Sequence, residues 1–161
     1  MSIFHQRNFI TLISLILTLV VAGCSGTKSS QCKRLINIIN KGVYIIDSNK
    51  GKQVKTSLQM SKDLVEVTKS LKEANITDSK LQEFQGNFVK VFQDLSQAIT
   101  KASQALDLAK NAEASSSGRT KIEKARSQID NALTTAAKTA GKKSDELGNQ
   151  LNDYCEVESH P

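Results

Sequence analysis

Residues 81–112, LQEFQGNFVKVFQDLSQAITKASQALDLAKNA, carry the pattern that decides the fold. Leu81, Phe84, Phe88, Val91, Leu95, Ala98, Ala102, Ala105, Ala109 and Ala112 follow one another at alternating steps of three and four, and no polar residue interrupts the series. That spacing puts every member on one face of an α-helix, the seam along which long helices pack lengthwise on others. A second row, Phe92, Ile99 and Leu106, repeats every seven residues and widens the apolar stripe. Thr77 and Asp78 suit the start of this helix as caps, and Ser115-Ser116-Ser117-Gly118 suits its end. The pattern predicts a helix over 78–114.

The same period extends to both sides. Downstream, Thr120-Lys121-Ile122-Glu123 has the form of a capping box, and the stripe continues through Ile122, Ala125, Ile129, Ala132 or Leu133, Ala136, Ala140, Leu147, Leu151 and Tyr154. Gly141 and Gly148 each weaken that helix by about 1 kcal/mol relative to alanine, so it is a place for a kink. Upstream, Cys32, Ile36, Ile39, Val43 and Ile46 step by four and three, with Leu35, Ile38 and Ile45 alongside, until Asp47-Ser48-Asn49-Lys50-Gly51-Lys52 breaks the pattern. Met60, Leu64, Val67, Leu71 and Ala74 form another stripe, ended by Asn75-Ile76-Thr77-Asp78. Four helices are expected, near 30–48, 53–75, 78–114 and 120–155.

Composition agrees with an all-α chain. Tryptophan is absent, aromatics are 4% of the residues, and the one proline is the last residue, so turns and large rings suited to a β-sandwich are lacking. The expected architecture is an antiparallel up-down-up-down four-helix bundle over 31–156, followed by a tail, 157–161. At 1.5 Å per residue the first two helices span about 28 to 35 Å and the last two about 54 Å, so a longer helix 3/helix 4 hairpin should project beyond the shorter pair. The projecting part is where Phe and Leu give way to alanine, which suits two helices packed closely without further neighbours.

Few residues offer chemistry. The formal charge is +6, but Lys and Arg alternate with Asp and Glu along the helices, as on a solvated surface. No basic run is interleaved with aromatics, so nucleic acid is not an expected partner. Beyond residue 23 the only histidine is His160, which leaves histidine catalysis and histidine zinc sites without material. Gly141-Lys142-Lys143-Ser144 lacks the first glycine of a phosphate loop and reads as helix surface. The carboxylates form no inward Glu-x-x-His set of a di-iron bundle. No enzyme activity, metal or cofactor is expected.

The start of the chain speaks of address. A cationic end with His5 and Arg7 precedes the apolar stretch Phe9 to Ala22, which has the length of a secretory h-region and is short of the roughly 20 residues of a membrane span. Val21-Ala22-Gly23-Cys24 follows directly and resembles the bacterial lipobox. The resemblance implies a signal peptide over 1–23, cleavage before Cys24, and a diacylglycerol on the Cys24 thiol that anchors the chain in membrane lipid at the extracytoplasmic face, periplasmic or cell-surface. Residues 24–30, small and polar after the cysteine, are expected to be a lipidated tether.

With Cys24 so used, Cys32 and Cys155 remain, near the start of the first helix and the end of the last. Outside the cytoplasm such a pair is most simply a disulfide, with free thiols or an intermolecular bridge as the alternatives. An up-down-up-down bundle brings these positions to one end, whereas a three-helix bundle would part them by tens of ångströms.

The whole pattern resembles the small four-helix lipoproteins of cyanobacteria and other bacteria, among them the PsbQ-like lipoproteins of photosystem II, and also the helical surface lipoproteins of spirochaetes. The expected function is a non-enzymatic interaction or structural module with an unknown protein partner. The alternative is a small-ligand or metal carrier using a cleft between helices.

Overall fold

The computed structural model describes residues 26–49 and 54–156, and every regular element in them is helical. In chain order these are α1 (Lys28–Asn49), α2 (Val54–Glu73), α3 (Ser79–Lys110), α4 (Ser116–Ala136), a π-helical turn (Ala137–Gly141) and α5 (Lys142–Glu156). No described helix is long and apolar enough to cross a membrane. The expected leader 1–23, Cys24 and the tail 157–161 lie outside the described residues. Of the expected tether, Lys28–Ser30 already belongs to α1.

The spine is α3, which packs against all the other helical elements. Its seam is buried as the spacing predicts: Leu81, Phe84, Phe88, Val91, Ala102 and Ala105 are enclosed, together with Phe92 and Ile99 of the second row. Leu35 and Ile39 of α1, Leu64, Val67 and Leu71 of α2, and Leu147 and Leu151 of α5 close around it. Each such side chain contributes about 1.5–3 kcal/mol on burial. By contrast α4 packs on α3 and on the π-turn that continues it, and on neither α1 nor α2.

The face of α1 differs from expectation. Its buried line is Cys32, Leu35, Ile39 and Gly42, while Val43, expected in the seam, is 36% exposed. The reason is Phe92. A Cβ built on Gly42 would come within 2.5 Å of the Phe92 ring, so the helix turns its one bare position toward the largest neighbour.

The boundaries around the reversal also move: the helix expected to run to 114 ends at Lys110, with Asn111 as its C-cap. The helix expected to start at Thr120 starts at Ser116, because the Ser115 hydroxyl accepts the Gly118 N–H at 3.1 Å and supplies the cap. Thr120 lies inside the helix and donates its hydroxyl to the Ser116 carbonyl. Gly118 is required by the tight reversal itself, since a Cβ there would collide with the Glu113 carbonyl oxygen. The irregularity expected near Gly141 takes the form of a π-turn closing at that residue. Ala136 and Ala140 on this stretch are buried, as are Leu147 and Leu151 beyond it.

Polar residues also hold α2 to α3. Ser61 Oγ lies 2.9 Å from Ser96 Oγ and 2.8 Å from Thr100 Oγ1. Each serine sits 3.0 Å from the other's main-chain carbonyl. Satisfied in this reciprocal way, two buried hydroxyls let the backbones approach without an unpaired polar atom.

Candidate functional site

Three chain segments meet at one end of the molecule. Cys32 on the first turns of α1 and Cys155 on the last turn of α5 have α-carbons 5.9 Å apart and sulfurs at 2.08 Å, the distance of a disulfide. The α2–α3 turn is fastened beside them by Gln31, which is 5% exposed. Its Nε2 donates to the Gly26 carbonyl at 2.7 Å, and its Oε1 accepts the N–H groups of Thr77 at 2.7 Å and Asp78 at 3.1 Å. Arg34 Nη1 donates to the Asn75 carbonyl at 2.7 Å. Ile76, between them, is buried.

Asp78 joins α3 to α5. As the N-cap of α3 its carboxylate accepts the Leu81 N–H at 2.9 Å, and the Tyr154 hydroxyl donates to the same group at 3.0 and 3.1 Å. Tyr154 also tilts against Phe84 with centroids 6.2 Å apart, and Lys28 Nζ sits 3.8 Å from the centre of its ring. The Leu81 N–H holds the Asp78 carboxyl below its ordinary value, against the opposing effect of partial desolvation and with help from the Tyr154 hydroxyl. Desolvation and then the hydrogen bond and charge of Asp78 push Tyr154 up.

Both shifts make stability depend on pH. A depressed carboxyl stabilises the fold above its unfolded value, 3.8, and that contribution is lost as pH falls through the folded value below it. A raised phenol stabilises the fold below 10.0, and that contribution is lost as pH rises through the higher folded value. Asp78→Asn keeps a good cap and removes the charge. Urea denaturation should therefore show a smaller loss of stability between pH 6 and pH 2.5 for Asp78→Asn than for the parent; identical losses would refute the assignment.

Two grooves run between the helices. One, of about 380 Å³, separates α1 from α5. Ile36, Asn40 and Val43 face Ser144, Asn149 and Asn152 across a floor that includes Phe88. Gly148 borders it, and a Cβ on Gly148 would meet nothing within 4 Å. The other, of about 580 Å³, runs between α3 and the α4–π-turn segment and continues past Lys101, Asn131 and Ala132 toward Leu108.

No family model, curated protein or solved structure matches this chain. Among the described residues no three of His, Cys, Asp and Glu are grouped to hold a metal ion. Of the residues singled out by sequence, Cys32 and Cys155 are brought together, and Cys24 lies outside the described part. Gln31 and the Asp78–Tyr154 pair were not foreseen as fasteners. Asp78 carried a signal as a cap, whereas Gln31 looked like any polar residue beside a seam.

Proposed function

We propose that the chain is a membrane-anchored extracytoplasmic lipoprotein, held by lipid on Cys24, whose up-down-up-down four-helix bundle is a non-enzymatic interaction or structural module. The supporting observation is the fastened end. Gly26, two residues beyond the lipobox cysteine, accepts a hydrogen bond from Gln31, which adjoins the Cys32–Cys155 bridge. An anchor on Cys24 would then be tied within a few residues to both the first and the last helix. That arrangement holds the bundle close to the bilayer and leaves the α3–α4 reversal at the other extreme, available to a partner. Tight fastening serves a presenting scaffold more directly than it serves a catalyst.

Intact-mass measurement on the membrane fraction tests the anchor. The expected mature chain begins at Cys24 and carries the added mass of a diacylglycerol with its acyl chains; an unmodified Cys24 overturns it. Cross-linking in intact cells tests the module, and capture of no protein neighbour counts against it.

The α1–α5 groove favours a second reading, a carrier for a small ligand. Its apolar floor and the side-chain amides of Asn40, Asn149 and Asn152 are the ingredients of a small-molecule site. Native mass spectrometry of protein taken from its own membrane should then show a bound mass, and apoprotein alone disposes of this reading.

A further inference from the structure

The groove between α3 and the α4–π-turn segment is bare because α4 has no second helical neighbour. Its floor is apolar: Val91, Ala136 and Ala140 lie buried at its base, with Ala98 of α3 and Ala132 of the opposite wall partly exposed above them and Gln97, Asn131 and Thr135 among the polar residues beside them. Alanines at such a surface allow a third helix to approach to interaxial distances near 8 Å, the short end of the usual range. The groove is also long, since a second hollow shares Lys101, Asn131 and Ala132 with it. From Lys90 to Leu108, both of which border it, α3 advances about 27 Å at 1.5 Å per residue, the length of a helix of about 18 residues. Leu108 stands at its far end 67% exposed.

Charge indicates what fits. Lys90, Lys101 and Lys143 border the groove against one acid, Asp94, and none of the three lysines is in an ion pair among the described residues. Lys90 and Lys101 are eleven residues apart, three helical turns, so both lie on the same edge of α3. Lys143 stands on the other wall, just past the π-turn. Single π-turns inserted in α-helices frequently lie at functional sites, and this one forms part of the groove wall.

We infer that this groove docks an amphipathic helix of a partner protein, with small apolar residues along its contact face and Asp or Glu on both flanks. The partner's apolar stripe lies on the alanine floor, and its acids meet Lys90 and Lys101 on one edge and Lys143 on the other. This is helix-in-groove recognition, with apolar anchors setting affinity and flanking charge setting choice of partner. The inference rests on the interaction-module reading and adds the surface and the partner's chemistry.

Fluorescence anisotropy tests it with the lipidated full chain in nanodiscs of zwitterionic lipid. The probe is a designed 21-residue helix with an alanine and leucine stripe flanked by glutamates, and its counterpart carries lysines in their place. The glutamate helix should bind and the lysine helix should not. In Lys90→Glu/Lys101→Glu/Lys143→Glu the preference should invert, with at least tenfold weaker binding of the glutamate helix. A damaged fold would weaken both helices and could not produce that inversion. Hydrogen exchange should place new protection on Lys90–Lys101 and Asn131–Lys143.

The inference is overturned if neither helix binds the parent, if both bind alike, or if protection falls on the α1–α5 groove. Competition by anionic vesicles would make the occupant a lipid surface and overturn it too. Self-association abolished by the triple variant would make the occupant a second copy, with the same result. Protein neighbours cross-linked in cells alongside a failure of the designed helix would overturn this inference alone and leave the broader reading standing.

Discussion

A Cys155→Ser chain is expected to unfold with about 2–4 kcal/mol less free energy than the parent, measured by urea denaturation under non-reducing conditions. The bridge joins positions 123 residues apart, so nearly the whole described chain is closed into one loop. On the chain-entropy model a loop of about 100 residues is worth roughly 4.7 kcal/mol, from which native-state adjustment usually subtracts. The effect acts mainly on the unfolded chain, because α5 keeps other holds: Leu147 and Leu151 in the core and Tyr154 on Asp78. The variant should therefore remain helical. Its denaturant slope should rise, since the unlinked unfolded chain exposes more surface. Cys32→Ser should give the same loss, and the double variant no more than either one, because all three remove one bond. An unchanged midpoint, or losses that add, would refute the bridge as the source.

The other large effect lies at the contact between α1 and α3. Phe92→Ala is expected to cost about 3–5 kcal/mol, as a fully enclosed aromatic leaves a cavity that its surroundings fill only in part. Gly42→Ala acts on the same contact from the other side. The added Cβ would come within 2.5 Å of the Phe92 ring, and overpacking of that kind costs about 1–3 kcal/mol. The two positions should be coupled. Gly42→Ala combined with Phe92→Leu should cost less than the sum of the single changes, by about 1 kcal/mol, because the smaller side chain makes room for the methyl group. Thermal or urea denaturation of the four chains measures this directly. Strict additivity would mean that the ring moves aside at no cost.

These two contacts also show where sequence is informative. The α3 seam was readable because ten apolar side chains repeat without a gap, and periodicity counts side chains. Gly42 has none, so the spacing puts Ile36, Val43 and Ile46 in the α1 stripe with Cys32 and Ile39, whereas the helix is rotated so that Leu35 and Gly42 join Cys32 and Ile39 on the buried face. Ser61 and Ser96 carry no such signal, because a buried serine is spelled like an exposed one until its partner across the helix pair is known. The start of α4 was placed four residues late because Thr120-Lys121-Ile122-Glu123 and Ser115 both satisfy a cap, and the reversal through Glu113 and Gly118 decides between them. Gly141 reads as a weak point in the sequence, but its form, a π-turn over Ala137–Gly141, is visible only in the fold.

The same distinction applies to the candidate sites. The Cys32 and Cys155 pair was legible because cysteine is rare and its positions at the two ends of the helical region invite pairing. The grooves were not, since each exists where two helices fail to pack, and a stripe in one helix does not report the absence of a neighbour. In the sequence the lysines around the α3–α4 groove read as ordinary surface charge, and only the fold shows that two of them border one wall of it and the third the other.

Because the first helix begins beside the point where the last one ends, the order in which the chain visits its helices is separable from the shape they make. Circular permutants that join the region of Gly26 to the region of Glu156 by a short linker, and open instead at Ser115–Ser117, would retrace the same packing from a new starting point. Such a molecule would place both free termini at the pole opposite the sulfur bridge, and so would present the hairpin pole to a surface on which the parent would present the other.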